Sequence, residues 1–289
     1  MSHALECRSC SKSSQRITSP MPELPEVETT RAGIAPHLQG VVIQAVIVRE
    51  SRLRWPVSEQ LAQMATGQKV LAVERRAKYL LIKLANGYLM LHLGMSGSLR
   101  ILPASTAPQK HDHVDLVFDS GVLLRYRDPR RFGSVFWLND LNHRLLNDLG
   151  PEPLGPEFSG LTLYQASRGK TRNVKTLIMD AKVVVGVGNI YANEALYLSG
   201  IKPTAISGRI SKPRFERLAG AIQAVLTKAI QAGGTSLRDF LKEDGTPGYF
   251  RHELKVYGRE GERCEGCGGG LKSLRITGRA TVYCPVCQR

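Results

Sequence analysis

The chain has 289 residues, 42% of them hydrophobic, and 40 Lys and Arg against 25 Asp and Glu give it a net charge of +15. That length suits two domains of ordinary size, and the composition is that of a folded protein. No run of 18 apolar residues occurs and the first twenty residues lack an apolar core, so neither a membrane-spanning helix nor a secretory signal is expected. The basic excess is spread along the chain and points to a polyanionic partner, nucleic acid first.

The first twenty residues are Ser-rich, carry Arg8, Lys12 and Arg16, and include a lone Cys7-x-x-Cys10. They read as an extension, because two cysteines alone do not close a zinc site. From Pro25 to Leu38, PEVETTRAGIAPHL predicts a helix. Pro25 suits its first turn, Glu26 and Glu28 suit its positive end, and Pro36 ends or bends it. Strands follow. Val41 to Val48 is apolar and β-branched, and Tyr79 to Leu93 reads as two strands joined at Asn86-Gly87. VDLVFDSGVLLRYRD repeats that design around Asp119-Ser120-Gly121. Such strands predict a β-sandwich or barrel over residues 21–138. GPEPLGPEFSG, inside 139–160, has the turn chemistry of a linker. Helical periodicity then takes over in NVKTLIMDAK, NIYANEALYLSG and the amphipathic SKPRFERLAGAIQAVLTKAIQAG. The first two flank the Gly-containing turn VVVGVGN, a helix-turn-helix-like unit within 161–257.

The last segment, 258–289, holds Cys264-x2-Cys267 and, after sixteen intervening residues, Cys284-x2-Cys287. This is a four-cysteine zinc spacing. Each CxxC turn brings two thiolates to one side of a metal, and SLRITGRATVYC supplies the returning hairpin, with Thr277-Gly278-Arg279 near its tip. A redox dithiol would need a βαβ context that is missing here. Four Cys leave no open coordination position, so one structural Zn2+ is expected, with Arg279 placed to reach a phosphate or a groove.

MPELPEVET, LHLGMSGSL, DPRRFG, VVGVGNIYANE, DGTPGYF and the terminal ribbon occur in one order. Together they resemble the bacterial formamidopyrimidine-DNA glycosylases of the Fpg/Nei family, over Met21 to Arg289. No single motif is specific, whereas six in sequence are. The resemblance implies an α+β protein: an N-terminal β-sandwich with flanking helices, and a C-terminal helix–two-turn–helix domain with a zinc hairpin. It implies a base excision repair enzyme that removes oxidised purines, such as 8-oxoguanine and formamidopyrimidines, from double-stranded DNA. The strand would then be cleaved by β,δ-elimination. A monomer in the bacterial cytoplasm, without membrane contact, is expected.

The family's residues map onto this chain as follows. Pro22, once Met21 is removed, is the nucleophile; an α-amine has a reference pKa near ~8, against ~10.4 for Lys, so more of it is neutral. A secondary amine at the sugar C1′ gives a cationic iminium that acts as an electron sink. Glu23 is the general acid/base and Glu26 orients the sugar or Pro22, although carboxylates at a helix start also serve the dipole alone. Lys78 contacts the phosphate and lesion region, His92 and Arg279 grip phosphates around the damaged nucleotide, and Lys175 and Asn189 add backbone contacts. Flipping the lesion leaves a gap, which Met95, Arg130 and Phe132 fill. Their Gly-rich flanks favour exposed loops over core. The loop Ser236 to Phe250, with Gly245 and Tyr249, would read the flipped base and favours the purine enzyme over the endonuclease VIII type.

Pro22 acts only with a free amine. Met21 is therefore expected to be the initiator; later cleavage of the extension, or a zinc-containing lesion-binding protein that does not catalyse, are the alternatives. A zinc-ribbon transcription factor fits the charge and the cysteines but leaves Pro22, Met95, Arg130 and Phe132 without a role.

Overall fold

The computed structural model describes residues 22–234 and 253–289. The extension with Cys7 and Cys10, and the loop residues Ser236, Gly245 and Tyr249, lie outside the described residues.

The chain enters through α1 (Leu24–Leu38), with Pro25 in its first turn. Pro36 does not end it. The helix runs two residues further, because a proline near the C-terminus loses one intrahelical bond and is carried by the packing of Ile34 and Leu38 in the core. Two antiparallel sheets follow. One takes β1 (Ile43–Val48), β6 (Asp112–Phe118), β7 (Val122–Arg127) and β5 (Ser98–Pro103) in that order. The other takes β2 (Val70–Arg76), β3 (Tyr79–Leu84), β4 (Gly87–His92) and β8 (Ser134–Leu138). Short α2 (Leu61–Ala65) closes one end.

Period-two patterning sets the faces. Leu80, Ile82, Leu84, Leu89 and Leu91 point into one core with Leu99, Val114, Leu116, Phe118, Leu124 and Tyr126 from the other sheet. The intervening Leu81 and Met90 turn outward onto Leu138 and Leu146, so β3 and β4 are covered on both sides. Truncating a fully buried position such as Ile82 to Ala would cost about 2–5 kcal/mol.

Leu84 pairs with Gly87, so the β3–β4 loop is Ala85-Asn86, one residue earlier than the Asn-Gly signal suggests. Gly87 is required by packing: a Cβ there would meet the Leu138 carbonyl at 2.4 Å and the Trp137 ring at 2.7 Å. Asp119-Ser120-Gly121 is the β6–β7 turn as expected, with Gly121 at φ +80.

Beyond the linker come α3 (Gly160–Ser167), α4 (Val174–Ile178), α5 (Asn189–Leu198) and α6 (Lys212–Gln231). Ser159 and Asn173 cap α3 and α4 by accepting the amides of Thr162 and Thr176. α4 is shorter than the apolar pattern suggests, since the chain turns at Met179-Asp180. Phe215, Leu218, Ala219, Ile222, Leu226 and Ala229 form the buried stripe of α6. At Gly160 a Cβ would meet the Glu216 backbone at 2.4 Å, so α3 and α6 cross closely. A last hairpin, β9 (Lys272–Ile276) and β10 (Arg279–Tyr283), completes the chain.

α1 joins the halves: it packs on α6 as well as on β2. Glu152 in the linker adds a polar tie, accepting the Ala77 amide at 2.7 Å and the guanidinium groups of Arg75 and Arg76. No helix among the described residues is long and apolar enough to cross a membrane.

Candidate active site

A cleft of about 810 Å³ runs between the β-sandwich and the helical half. The sandwich contributes Glu23, Arg54, Lys78, Met95 and Phe132; the helical half contributes Asn189 and Tyr257, and the hairpin Arg275 and Arg279.

Glu23 precedes α1 yet spends its side chain on α5. Its Oε2 accepts the Gly188 amide at 2.8 Å and its Oε1 the Ile190 amide at 2.9 Å. These are orphan donors at a helix N-terminus, where the dipole favours an anion. While Glu23 keeps these contacts only glycine fits at 188, because a Cβ there would lie 2.3 Å from the Glu23 carboxyl carbon. Burial nevertheless dominates and pushes the carboxyl up to about 7, with Lys78 pulling it down, Glu26 pushing it up and the α5 amides pulling it down. Glu23 is thus held near half-protonation at neutral pH, where it can both give and take a proton. Pro22, buried beside it, is the residue immediately before this carboxyl.

Glu26 lies behind the pair. Its Oε2 accepts the Glu23 amide at 2.9 Å and its Oε1 the Tyr191 hydroxyl at 2.6 Å, which ties the start of α1 to α5. Lys78 is the second residue of the two-residue β2–β3 turn, after Ala77 at φ +55. Burial pushes its ammonium down, Glu23 and Glu26 hold it up, and Arg279 across the cleft lowers it.

His92 ends β4. Its Nδ1 accepts the Gly94 amide at 3.1 Å, which leaves the ring proton on Nε2. Burial, with Lys78 and Arg54 nearby, holds its pKa down at about 4, so the ring is neutral at physiological pH. Tyr79 packs on it at 5.0 Å between centroids.

Met95 and Phe132 line the cleft on two loops, and Phe132 is 43% exposed. The Arg130 guanidinium sits over the Phe132 ring at 5.0 Å.

Asn189 is the first residue of α5. Its Oδ1 accepts from Lys175 Nζ at 2.6 Å and its Nδ2 donates to the Ala280 carbonyl at 3.1 Å. Lys175, expected at a DNA phosphate, is only 1% exposed. It also donates to Thr281 Oγ1 at 2.7 Å and to the Ala280 carbonyl at 3.2 Å. Burial pushes it down to about 7. In this structure the ammonium joins α4, α5 and the hairpin instead of meeting the surface.

The four cysteines converge at the hairpin base, all sulfurs within 4.8 Å of one another. Four Zn–S bonds of ~2.3 Å in a tetrahedron require sulfurs about 3.8 Å apart. Cys264 and Cys287 stand at 3.9 Å and Cys267 and Cys284 at 3.5 Å, so the set fits a tetrahedral metal.

Several site residues carry no signal in the sequence. Arg54 sits in an irregular segment, and Tyr257 lies among loop residues, where its hydroxyl shares a hydrogen bond with Asn189. Glu194 accepts the amides of Lys255, Val256 and Tyr257 and so fixes Tyr257 against α5. A carboxylate inside an apolar helical run, as in NIYANEAL, is the one hint that it has buried partners.

Residues 21–135 match the formamidopyrimidine-DNA glycosylase N-terminal domain, and residues 149–241 match the formamidopyrimidine-DNA glycosylase H2TH domain. The formamidopyrimidine-DNA glycosylase of Acidithiobacillus ferrooxidans is 56% identical over 270 residues, 93% of this chain and 100% of the relative. The crystal structure of the MutM (Fpg) protein from Thermus thermophilus superposes with a TM-score of 0.83 at 36% identity, covering 92% of this chain and 98% of that one. Wild-type Lactococcus lactis Fpg (MutM), in complex with DNA containing N7-benzyl-Fapy-dG, gives 0.85 at 33% identity, covering 93% and 100%. With both domains matched in order and the sandwich, helical half and four-cysteine hairpin all in place, the chain belongs to the formamidopyrimidine-DNA glycosylase family.

Proposed function

We propose that the protein is a bifunctional DNA glycosylase and abasic-site lyase of base excision repair, acting on oxidised purines in double-stranded DNA, with Pro22 as its nucleophile. The active form begins at Pro22. Its amine attacks C1′ of the flipped nucleotide, the damaged base leaves, and the nitrogen remains bonded to carbon as an iminium. Proton loss from C2′ then expels the 3′ phosphate, and a second elimination expels the 5′ phosphate.

Glu23 carries this reading. A buried carboxyl at about 7, next to Pro22 and facing the cleft, can protonate the opening ribose oxygen and later accept a proton. Glu26 holds the backbone that presents the pair. Lys78, His92 through its Nε2 hydrogen, Asn189 and Arg279 take the phosphates around the target nucleotide. Met95 and Phe132 wedge into the stack while Arg130 hydrogen-bonds the orphaned base. The loop with Ser236, Gly245 and Tyr249 reads the flipped purine. Cys264, Cys267, Cys284 and Cys287 hold one structural Zn2+, which when bound fixes the hairpin that bears Arg279. The protein works as a monomer in the cytoplasm.

The test is borohydride trapping on duplex DNA with one 8-oxoguanine opposite cytosine, read by intact mass. A covalent adduct on a chain that starts at Pro22 is expected. Protein that binds the lesion, retains residues 1–21 and forms no adduct would overturn the nucleophile and leave a non-catalytic lesion binder.

A further inference from the structure

The loops carrying Met95 and Arg130–Phe132 are distant in sequence but built as one body. Gly94 holds φ +62, and a Cβ there would meet the Gly133 amide nitrogen at 2.5 Å and the Phe132 carbonyl carbon at 2.5 Å. At Gly133 a Cβ would lie 1.8 Å from the Tyr126 hydroxyl and 2.3 Å from the His92 carbonyl. No side chain separates the loops; backbone lies on backbone.

A buried polar net crosses that contact. Its centre is Asp128, at 0% exposure. Oδ1 accepts the Ser96 hydroxyl at 2.6 Å and the Arg130 amide at 3.3 Å. Oδ2 accepts the Gly133 amide at 2.8 Å and the Tyr126 hydroxyl at 3.2 Å. Ser96 Oγ in turn accepts the Arg130 amide at 3.1 Å, so one serine bridges the Met95 loop to the Arg130 loop. The Asp128 carbonyl pairs with His113 Nε2 at 2.7 Å and accepts the Arg131 amide at 3.1 Å. Arg131 itself sits at φ +56, a conformation a non-glycine residue keeps only where its surroundings impose it. Neither Ser96 nor Asp128 lines the cleft.

We propose that Ser96 and Asp128 form a latch that makes the two loops a single wedge, so that Met95, Arg130 and Phe132 enter the duplex together. They are positioning residues for base eviction and for reading the opposite base. The proposal rests on the insertion role given to those three side chains above. Opening a base step costs a few kcal/mol. Two loops free to move independently would also have to be immobilised at that moment, and a wedge locked in advance avoids that cost.

Ser96→Ala removes the bridge and leaves Asp128 its three other donors; Asp128→Asn keeps the shape and removes the charge. Single-turnover excision of 8-oxoguanine opposite cytosine would be compared with borohydride trapping at a ready-made abasic site, where no paired base has to be evicted. Ser96→Ala is expected to slow excision by about tenfold, the loss of one hydrogen bond to a charged group, and to reduce trapping by much less. Asp128→Asn is expected to show the same split. In the wild-type background the effects of Met95→Ala and Phe132→Ala should be non-additive, and in the Ser96→Ala background they should add. Equal losses on both substrates, or Met95–Phe132 coupling that survives Ser96→Ala, would overturn the latch. Should Asp128→Asn not fold, Ser96→Ala and the coupling measurement still decide. Wild-type protein that traps no abasic site would overturn the proposed function, which is a separate outcome.

Discussion

The Gly188 amide donates to Glu23 across the boundary between the two halves at 2.8 Å, and no larger residue fits at that contact. The carboxyl at the start of the sandwich is therefore positioned by the first turn of a helix in the other half. Gly188→Ala must push Glu23 off α5 or displace the helix itself. It is expected to lower single-turnover excision by about a hundredfold, because misplacement on the order of 1 Å has that effect. Binding to DNA with an uncleavable abasic analogue should change little. Excision within about threefold of wild type would show that the contact is not needed.

Ionisation of Glu23 should be visible in stability. Measured on the full chain, where residue 22 is an amide, its folded pKa of about 7 lies above the ordinary 4.5. The folded state thus binds more protons between those values, so stability is full below about 4.5 and declines as pH rises through 7. The difference is about 3 kcal/mol at pH 8. Glu23→Gln cannot ionise and should lose that decline, so its stability relative to wild type should rise from pH 4 to pH 8. Parallel urea-unfolding profiles for the two proteins would show the carboxyl to be unshifted.

Much of this was legible in the sequence because the signals were local. The β3–β4 and β6–β7 hairpins follow from alternation and turn residues, and the four-cysteine cluster follows from two CxxC spacings. The amphipathic stripe of α6 was equally plain. What could not be read depends on contacts between distant segments. Pro36 stays helical because Ile34 and Leu38 are buried by the sandwich. Gly87 looked like a turn glycine but answers to Trp137 on β8. Tyr191 and Glu194 looked like ordinary positions of a helix, and their partners lie 165 and 61–63 residues away. Lys175 looked like a surface cation, and only the packing of β10 on α4 and α5 reveals that it is enclosed.

His92 should contact DNA as a neutral donor. Its folded pKa of about 4 is below the ordinary 6.5, so the unfolded chain binds more protons between those values. Stability from this group is full above 6.5 and lost as pH falls through 4. The ring charge is therefore constant from pH 6 to 8. Affinity for an abasic-analogue duplex should show no histidine step in His92 wild type that vanishes in His92→Gln. A step of that kind near 6.5 would mean that the ring is charged in the complex.

Metal removal should act on the hairpin and leave the sandwich intact. The sulfurs of Cys264, Cys267, Cys284 and Cys287 are held together with few apolar neighbours, chiefly Val256, Leu271 and Val282. So small a core does not hold thiolates in contact without a cation. Chelation, or Cys267→Ser, is expected to weaken DNA binding at least tenfold while the β-sheet circular dichroism persists. Unchanged affinity in verified zinc-free protein would remove the hairpin from the interface.

Lys175 can be tested as a link rather than a contact. Its ammonium reaches Thr281 and Ala280, next to Arg279 on β10, as well as Asn189 on α5. Lys175→Met takes the donor from Asn189 Oδ1 and Thr281 Oγ1, leaves the Ala280 carbonyl only its bond from the Asn189 side-chain amide, and so loosens the hairpin tip. If the lysine acts through Arg279, then Lys175→Met and Arg279→Ala should each weaken binding, and the double variant should be little worse than the stronger single one. Arg279→Ala should reduce the salt dependence by about one phosphate contact, and adding Lys175→Met should reduce it no further. A lysine that meets a phosphate itself would give additive losses and a second unit of salt dependence. Affinities at four salt concentrations for the three variants and wild type separate these outcomes.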